Sequence, residues 1–326
     1  MATATTNQVY RGIEGAVKKV PVELPVLGPK DVLIRITHSG VCATDTAYVP
    51  YGIALGHEGV GVVVKVGESV TQFKVGDRAG GGYHRDSCGY CKYCLTGNDI
   101  WCYDRIIFGE KDHNNGTFGE YYIGKETYLH RIPAGLSSED AAPLMCAGAT
   151  TYSALVDVCK PGDRVGIVGI GGLGHLAIQF AAKLGAEVVV WSTTSAKEKE
   201  AREFGASEFY LLSELEKITK PVNILIIAGS KYPDWPKFLN KDIFARAGTI
   251  IPLAAPHDKL ELPAWPLFFD GYNLHSSLVA SRGRHDDMLD FAVHHHIKPS
   301  IERFEMSEKG IAEALKKLAA GSVRPV

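Results

Sequence analysis

The chain has 326 residues, 45% of them hydrophobic and 22% charged, the composition of an ordinary globular protein of about two domains. Lys plus Arg number 35 and Asp plus Glu 37, a net charge of −2, which excludes the basic footprint of a nucleic-acid binder. No apolar run approaches the roughly 18 residues of a membrane span, and MATATTNQVYRGIEGAVKKV at the start lacks the apolar core of a signal peptide. The expected location is therefore the cytoplasm, with no nucleic-acid or membrane partner.

The first half is rich in glycine, valine and turn residues. Residues 31–37 and 59–66 are short β-branched runs that end at Gly or Pro, and they predict strands of a mainly β domain. Three segments here carry chemistry-bearing side chains. Gly40-Val-Cys42-Ala-Thr44-Asp45 and Gly56-His57-Glu58-Gly59-Val-Gly61 lie near the start, and Leu144-Met-Cys146-Ala-Gly-Ala-Thr150 follows much later. Cys, His and Cys together make the three-ligand set of a catalytic zinc with one position left for substrate. Singly, each cysteine also reads as a small buried hydrophobe.

Between these segments, four of the seven cysteines fall within 15 residues: Cys88, Cys91, Cys94 and Cys102. Without a secretory context, clustered thiols point to metal rather than to disulfides. Four thiolates give tetrahedral Zn²⁺ a closed, structural site. The loop has few apolar residues of its own, so metal binding is expected to supply most of its folding energy.

Near residue 150 the pattern changes to strand, glycine turn, helix, repeated. Residues 164–168 are a short apolar run, followed by the glycine-rich turn Gly169-Ile-Gly171-Gly172-Leu173-Gly174. Leu173, Leu176, Ala177, Phe180, Ala181 and Leu184 then recur at helical spacing, with Gly185 placed to cap the helix. Strands are expected again at 187–191, 222–227 and 248–252, with a helix over 196–204. This alternation predicts an α/β, doubly wound parallel sheet. Further helices are expected at 285–294 and 307–320.

The glycine turn between strand and helix suits a dinucleotide. It allows a tight turn, a close approach to the pyrophosphate and a helix N-terminus aimed at the phosphates. The next strand ends in Trp191-Ser192-Thr193-Thr194-Ser195-Ala196-Lys197, with no carboxylate before Glu198. Hydroxyls and a lysine fit a 2′-phosphate better than a ribose hydroxyl, so NADP(H) is preferred over NAD(H). The alternative is a polar loop in which Ser or Thr caps the following helix.

Taken together, the chain resembles the zinc-dependent medium-chain alcohol dehydrogenases nearly end to end. The features that carry the resemblance are Gly56-His-Glu-x2-Gly61-x5-Gly67-x2-Val70, the four-cysteine lobe, Pro143-Leu-Met-Cys-Ala-Gly-Ala-Thr-Thr-Tyr152 and the glycine fingerprint, all in the family's order. The Ser-Thr-Thr-Ser-Ala-Lys segment is most similar to the cinnamyl-alcohol-dehydrogenase-like branch.

The resemblance implies a GroES-like β domain over 1–147, rejoined by 281–326, around a Rossmann domain over 148–280, with the active site in the cleft between them. It implies that Cys42, His57 and Cys146 are catalytic zinc ligands, with Glu58 a carboxylate that exchanges onto the metal. Asp45 takes the position that orients the ligand histidine, and Thr44 the position of the hydroxyl that passes on the alcohol proton. The simpler alternative for these last two is local turn-capping after Cys42. Thr150 takes a position lining the nicotinamide, and Cys88, Cys91, Cys94 and Cys102 hold the structural zinc. Two zinc ions per chain and a homodimer or homotetramer are implied.

Three features depart from the family pattern. The histidine that many members carry five residues after the first ligand cysteine is Ala47 here. The stretch between Asp45 and His57 is shorter than usual, which opens the substrate pocket. Leu318-Ala-Ala-Gly-Ser-Val-Arg-Pro-Val326 stops where the family continues into a last strand. Cys159 is expected to be a buried thiol at a helix end, and His38, His84, His113 and His130 to be surface, packing or turn residues. The function expected is an NADP-preferring alcohol dehydrogenase working mainly as an aldehyde reductase on a small alcohol or aldehyde. Two alternatives stand beside it: reduction of an iminium or activated C=C bond on the same fold, and a zinc-stabilised dinucleotide-binding protein without turnover.

Overall fold

A computed structural model describes residues 6–254 and 259–321 and divides into two units. Within the described residues, the first unit is drawn from Met1–Ala149, Val279–His294 and Ser300–Val326, and the second from Thr150–Leu278 and His295–Pro299.

The first unit begins with a hairpin of Thr6–Ile13 and Ala16–Glu23. Its two-residue turn, Glu14 and Gly15, has positive φ at both positions (49° and 77°), which matches the right-handed twist of the flanking strands. A five-stranded antiparallel sheet follows, in the spatial order Tyr121–Lys125, Asp31–Ser39, Glu58–Val66, Arg78–Gly82 and His130–Arg131. Val32, Ile34, Val63, Ala79 and Tyr122 meet Phe73 and Leu129 in its core. Strand His84–Asp86 pairs with Ile106–Ile107 and so closes the base of the cysteine-rich loop. Chain 300–321 returns to the hairpin through the helix Glu308–Ala319, whose Ile311 and Leu315 pack with Tyr10, Val17, Leu55 and Phe118. Ser307 caps that helix, its Oγ accepting from the Gly310 amide at 3.1 Å.

In the second unit six strands run parallel. Their spatial order is Glu208–Leu211, Glu187–Ser192, Arg164–Val168, Val222–Ile227, Phe244–Pro252, Asn273–Leu274. The first strand in sequence is thus central and the order reverses beside it. This is the switch point at which doubly wound sheets bind ligands. Arg164–Val168 is buried at every residue, which is why its sequence reads as a continuous apolar run rather than an alternating one. Helix Gly172–Lys183 buries Leu176, Ala177, Phe180 and Ala181, and Gly185 ends the turn beyond it at φ +91°.

The helix expected over 196–204 is a tight turn, Ser195–Lys197, followed by the helix Glu198–Glu203. No side chain caps either piece, so the capping alternative for Ser and Thr in this loop is not realised. Cys159 lies beyond the helix Ala149–Val156 and is half-buried rather than buried. Desolvation pushes its thiol up to about 11. Residues 322–326, part of the expected strand-less end, lie outside the described residues. Among the described residues no helix is long and apolar enough to cross a membrane.

Candidate active site

Cys42 stands at the N-cap of the helix Ala43–Tyr48, and Asp45 sits three residues further on. The capping geometry turns the Asp45 carboxylate back over the loop, where Oδ2 accepts from the Cys42 amide at 3.0 Å. Oδ1 accepts from the Gly56 amide at 3.0 Å and from His57 Nδ1 at 3.0 Å. The capping alternative and the orienting role are therefore one arrangement, since the same carboxylate performs both. With Nδ1 committed to Asp45, Nε2 is the nitrogen His57 presents. Nε2 is buried and has no hydrogen-bond partner.

Strand Glu58–Val66 begins immediately after His57 and carries Glu58 into the same region. Cys146 comes from a π-helical turn, Leu144–Gly148, a distortion that re-aims side chains and recurs at functional sites. One donor atom from each of Cys42, His57, Glu58 and Cys146 lies within 4.8 Å of the others. His57, Glu58 and Cys146 are buried, while Cys42 and Thr44 keep partial exposure. Thr44 Oγ1 lies 3.6 Å from Cys42 Sγ, on that accessible side. The ring of His57 is walled by Phe108 at 4.8 Å and Tyr83 at 5.6 Å between centroids, with Tyr48 packed on Phe108 at 5.1 Å.

The acids of the cluster are driven apart, one toward ionisation and two away from it. A hydrogen bond from Cys146, then the nearby His57, hold the Cys42 thiol well below its usual pKa despite burial. Its partner Cys146 is pushed well above the ordinary thiol range by that same shared bond and by desolvation. Burial, then the Cys42 charge, push Glu58 well above the carboxylate range. Burial alone would depress His57, but Asp45 outweighs it and raises it. Three acids that cannot all ionise together beside an orphaned imidazole nitrogen fit a divalent cation, whose charge makes their joint ionisation favourable.

The second donor set, Cys88, Cys91, Cys94 and Cys102, also converges within 4.8 Å. Three sulfur pairs lie 3.6–3.9 Å apart. Four sulfurs at a Zn–S distance of about 2.3 Å in tetrahedral array are themselves ~3.8 Å apart. Backbone amides of Cys91 and Asp104 donate to Cys88 Sγ and Cys102 Sγ at 3.3 and 3.4 Å, which supports thiolate charge on them. The Tyr90 amide, foremost, lowers the Cys88 thiol to about 7, whereas burial raises Cys102 to about 11. Among the described residues these two are the only groups of three or more converging donors.

In the second unit, Gly171 is the N-cap of the helix Gly172–Lys183, with no side chain capping its first amides. A Cβ at Gly171 or Gly172 would meet open space, whereas one at Gly174 would stand 2.0 Å from the Gly169 carbonyl. The first two glycines thus leave a surface for a ligand, and Gly174 lets the helix close onto the strand. Leu173 sits in the first turn. Lys197 Nζ donates to the Ile170 carbonyl at 2.9 Å, which holds the lysine on the glycine turn. Ser192 ends its strand buried, Thr193 and Thr194 are exposed, and the Thr194 amide is 3.5 Å from Ser192 Oγ. Thr150 opens the second unit, half-buried in the helix that follows the Cys146 turn.

The motifs contained no signal for Tyr83, Phe108 or Tyr48, which wall the site. Only their positions on the folded loops bring them to His57. His84 and His130, read from sequence as surface or packing residues, are both buried. His38 and His113 are exposed.

An antiparallel β unit with two converging donor sets, and a six-stranded sheet with a phosphate-ready glycine turn, define a zinc-dependent dehydrogenase of two domains. Residues 28–134 match the alcohol dehydrogenase GroES-like domain, and residues 172–294 match the zinc-binding dehydrogenase domain. A probable formaldehyde dehydrogenase of Bacillus subtilis is 36% identical over 324 positions, covering 94% of this chain and 92% of that protein. An NADP-dependent alcohol dehydrogenase of Mycolicibacterium smegmatis is 33% identical with the same coverage. The solved structure of a cinnamyl alcohol dehydrogenase from Sorghum bicolor superposes with a TM-score of 0.90 at 31% identity, covering 98% of this chain and 96% of that one. The chain belongs to the zinc-dependent medium-chain dehydrogenase/reductase family and is an oxidoreductase of the alcohol dehydrogenase type.

Proposed function

We propose that this chain is an NADP-preferring alcohol dehydrogenase that works mainly as an aldehyde reductase and holds two zinc ions. Cys42, His57 and Cys146, with Glu58 beside them, hold the catalytic ion, and Cys88, Cys91, Cys94 and Cys102 hold the structural one. The observation that carries this reading is the buried, unpartnered His57 Nε2, oriented by Asp45 toward two cysteines and a carboxylate.

When bound, zinc supplies Lewis acidity toward a substrate oxygen and the nicotinamide supplies or accepts hydride. The protein's part is positional. Asp45 fixes the His57 tautomer. Thr44, on the accessible side of Cys42, is placed to exchange a proton with the substrate hydroxyl. Ala47 is exposed and has no group to pass that proton on, so it leaves Thr44 through water. Thr150 lines the nicotinamide side, Gly169, Gly171, Gly172, Leu173 and Gly174 cradle the pyrophosphate, and Ser192, Thr193, Thr194 and Lys197 face the adenosine ribose. NADP use is supported by the absence of a carboxylate from 191–197, by Lys197 held on the glycine turn, and by the mycobacterial relative's name.

Self-association as a homodimer is supported by the second unit's open edge strand, Asn273–Leu274, beside exposed Trp265, Phe268 and Phe269. A cytoplasmic setting is supported by the four-thiol site, which requires reduced cysteines. The test is a cofactor-resolved screen that follows NADPH loss across aliphatic and aromatic aldehydes with an iminium included, together with metal analysis. Two zinc ions per chain and NADPH-dependent aldehyde turnover are expected. Turnover of the iminium alone would replace the alcohol–aldehyde reading, and a single ion indifferent to Cys42 substitution would end it.

A further inference from the structure

Gly40 lies two residues before Cys42, in a position where its backbone gives no reason for glycine. Its φ is outside the left-handed region, so any residue adopts that conformation. Its amide donates to the Glu58 carbonyl at 3.0 Å, which ties the Cys42 loop to the start of the Glu58 strand. The missing side chain is what distinguishes the position. A Cβ there would stand 1.8 Å from Glu58 Oε2, 2.9 Å from its Cδ and 3.0 Å from its Cβ, and these three nearest atoms all belong to Glu58. The Glu58 carboxylate, which is buried, thus occupies the space of a side chain at 40.

We propose that Gly40 is a positioning residue for Glu58: its missing side chain is the space that holds one carboxylate oxygen back from the Cys42–His57–Cys146 donors. The inference rests on the reading of those donors as the catalytic zinc site. A carboxylate with two oxygens beside a metal competes with substrate for the same coordination position. Seating Oε2 against the Gly40 backbone leaves that position to the substrate. A methyl group at 40 removes the seat, and because Glu58 is enclosed, its carboxylate moves toward the donors.

The test uses the full chain loaded with Co²⁺ in place of zinc, with three variants: Gly40→Ala, Glu58→Asp, and the two combined. In the Gly40→Ala variant the visible Co²⁺ bands are expected to shift as a carboxylate joins the metal. KM for an alcohol is expected to rise by about tenfold, the scale on which residues around a metal ligand act. Shortening the side chain makes room for the methyl, so the double variant should return the spectrum and KM to those of Glu58→Asp alone. Unchanged bands and KM in Gly40→Ala, or a double variant that stays shifted, would overturn the inference.

Melting temperature decides the steric claim without any metal. Gly40→Ala should lower it in the metal-free chain, and adding Glu58→Ala should recover most of the loss. No recovery would show that the methyl clashes elsewhere, and the inference falls. Co²⁺ uptake left unchanged by Cys42→Ser would instead sink the donor-set reading, while the melting comparison still decides whether Gly40 seats Glu58.

Discussion

Asp45 Oδ1 accepts from His57 Nδ1 at 3.0 Å, and both side chains are fully buried. One carboxylate therefore caps the helix that carries Cys42 and sets the tautomer of the neighbouring His57. In Asp45→Asn the amide must turn an N–H toward one of the three donors it now satisfies. Zinc affinity is expected to fall by about 10–100-fold, read by competition with a chromophoric chelator. Affinity equal to wild type would mean that His57 needs no orienting partner.

The cysteine lobe offers a cleaner separation of the two proposed zinc sites. Its chain buries Ile100, Cys94 and Cys102 but exposes Tyr90, Leu95 and Tyr103, so little apolar burial holds it without an ion. Cys102→Ser is expected to reduce zinc from two ions to one per chain, with faster amide exchange over residues 88–105 and no loss at the Cys42 site. Metal analysis paired with hydrogen exchange reads both.

Lys197 carries the cofactor prediction. Its Nζ sits on the Ile170 carbonyl at 2.9 Å, and a charged hydrogen bond to a phosphate contributes about 1.5–3 kcal/mol. Lys197→Ala is expected to lower the NADPH-to-NADH preference by roughly tenfold or more. Equal preference before and after the change would remove the 2′-phosphate argument.

Two buried histidines, His285 and His84, predict acid sensitivity. His285, on the helix Arg282–His294, stacks on His130 with centroids 3.7 Å apart, and His130 Nδ1 donates to Asp286 at 2.7 Å. Burial, then His130 and His84, hold His285 well below its ordinary pKa. Burial, offset by Asp99, leaves His84 at about 4. Because these folded values lie below the unfolded one, the unfolded chain binds more protons between about pH 6.5 and 4. The stability they contribute is present above that window and lost as pH falls through it. His285→Phe keeps a ring on His130 without a titrating nitrogen. Its melting temperature should fall less than wild type's between pH 7.5 and 5, and a parallel fall would assign the acid sensitivity to other groups.

The exposed aromatic face makes the proposed homodimer testable. Trp265 and Phe269 stack at 4.5 Å between centroids, and Phe268 is 80% exposed next to them. Phe268→Glu is expected to shift sedimentation toward the monomer, with both zinc ions retained. A wild-type chain that already sediments as a monomer would end the dimer proposal.

How much of this was legible beforehand depended on whether a feature is local. The glycine turn, the strand at 164–168 and the helix after it could be read because the spacing of apolar residues and the turn chemistry lie within one window. The four-cysteine lobe was equally legible, since its donors sit on one short loop. Cys42, His57 and Cys146 come from a helix cap, a strand start and a π-helical turn, so residue types alone offer them as a candidate three-ligand zinc set, while each cysteine singly also reads as a small buried hydrophobe. Their convergence was anticipated through resemblance. Apolar spacing does not separate the tight turn Ser195–Lys197 from the helix Glu198–Glu203, because such turns commonly open α-helices.

Residue order specifies the α/β unit, the β unit and which side chains bear metal-binding chemistry, because periodicity and residue type are properties of neighbours along the chain. Tertiary structure alone decided the rest. It freed His57 Nε2 by spending Nδ1 on Asp45, put Tyr83 and Phe108 around that ring, buried His84, His130 and His285 together, and lodged Glu58 where Gly40 has no side chain. Each of these depends on atoms far apart in sequence competing for one small volume, and only the folded chain brings them into it.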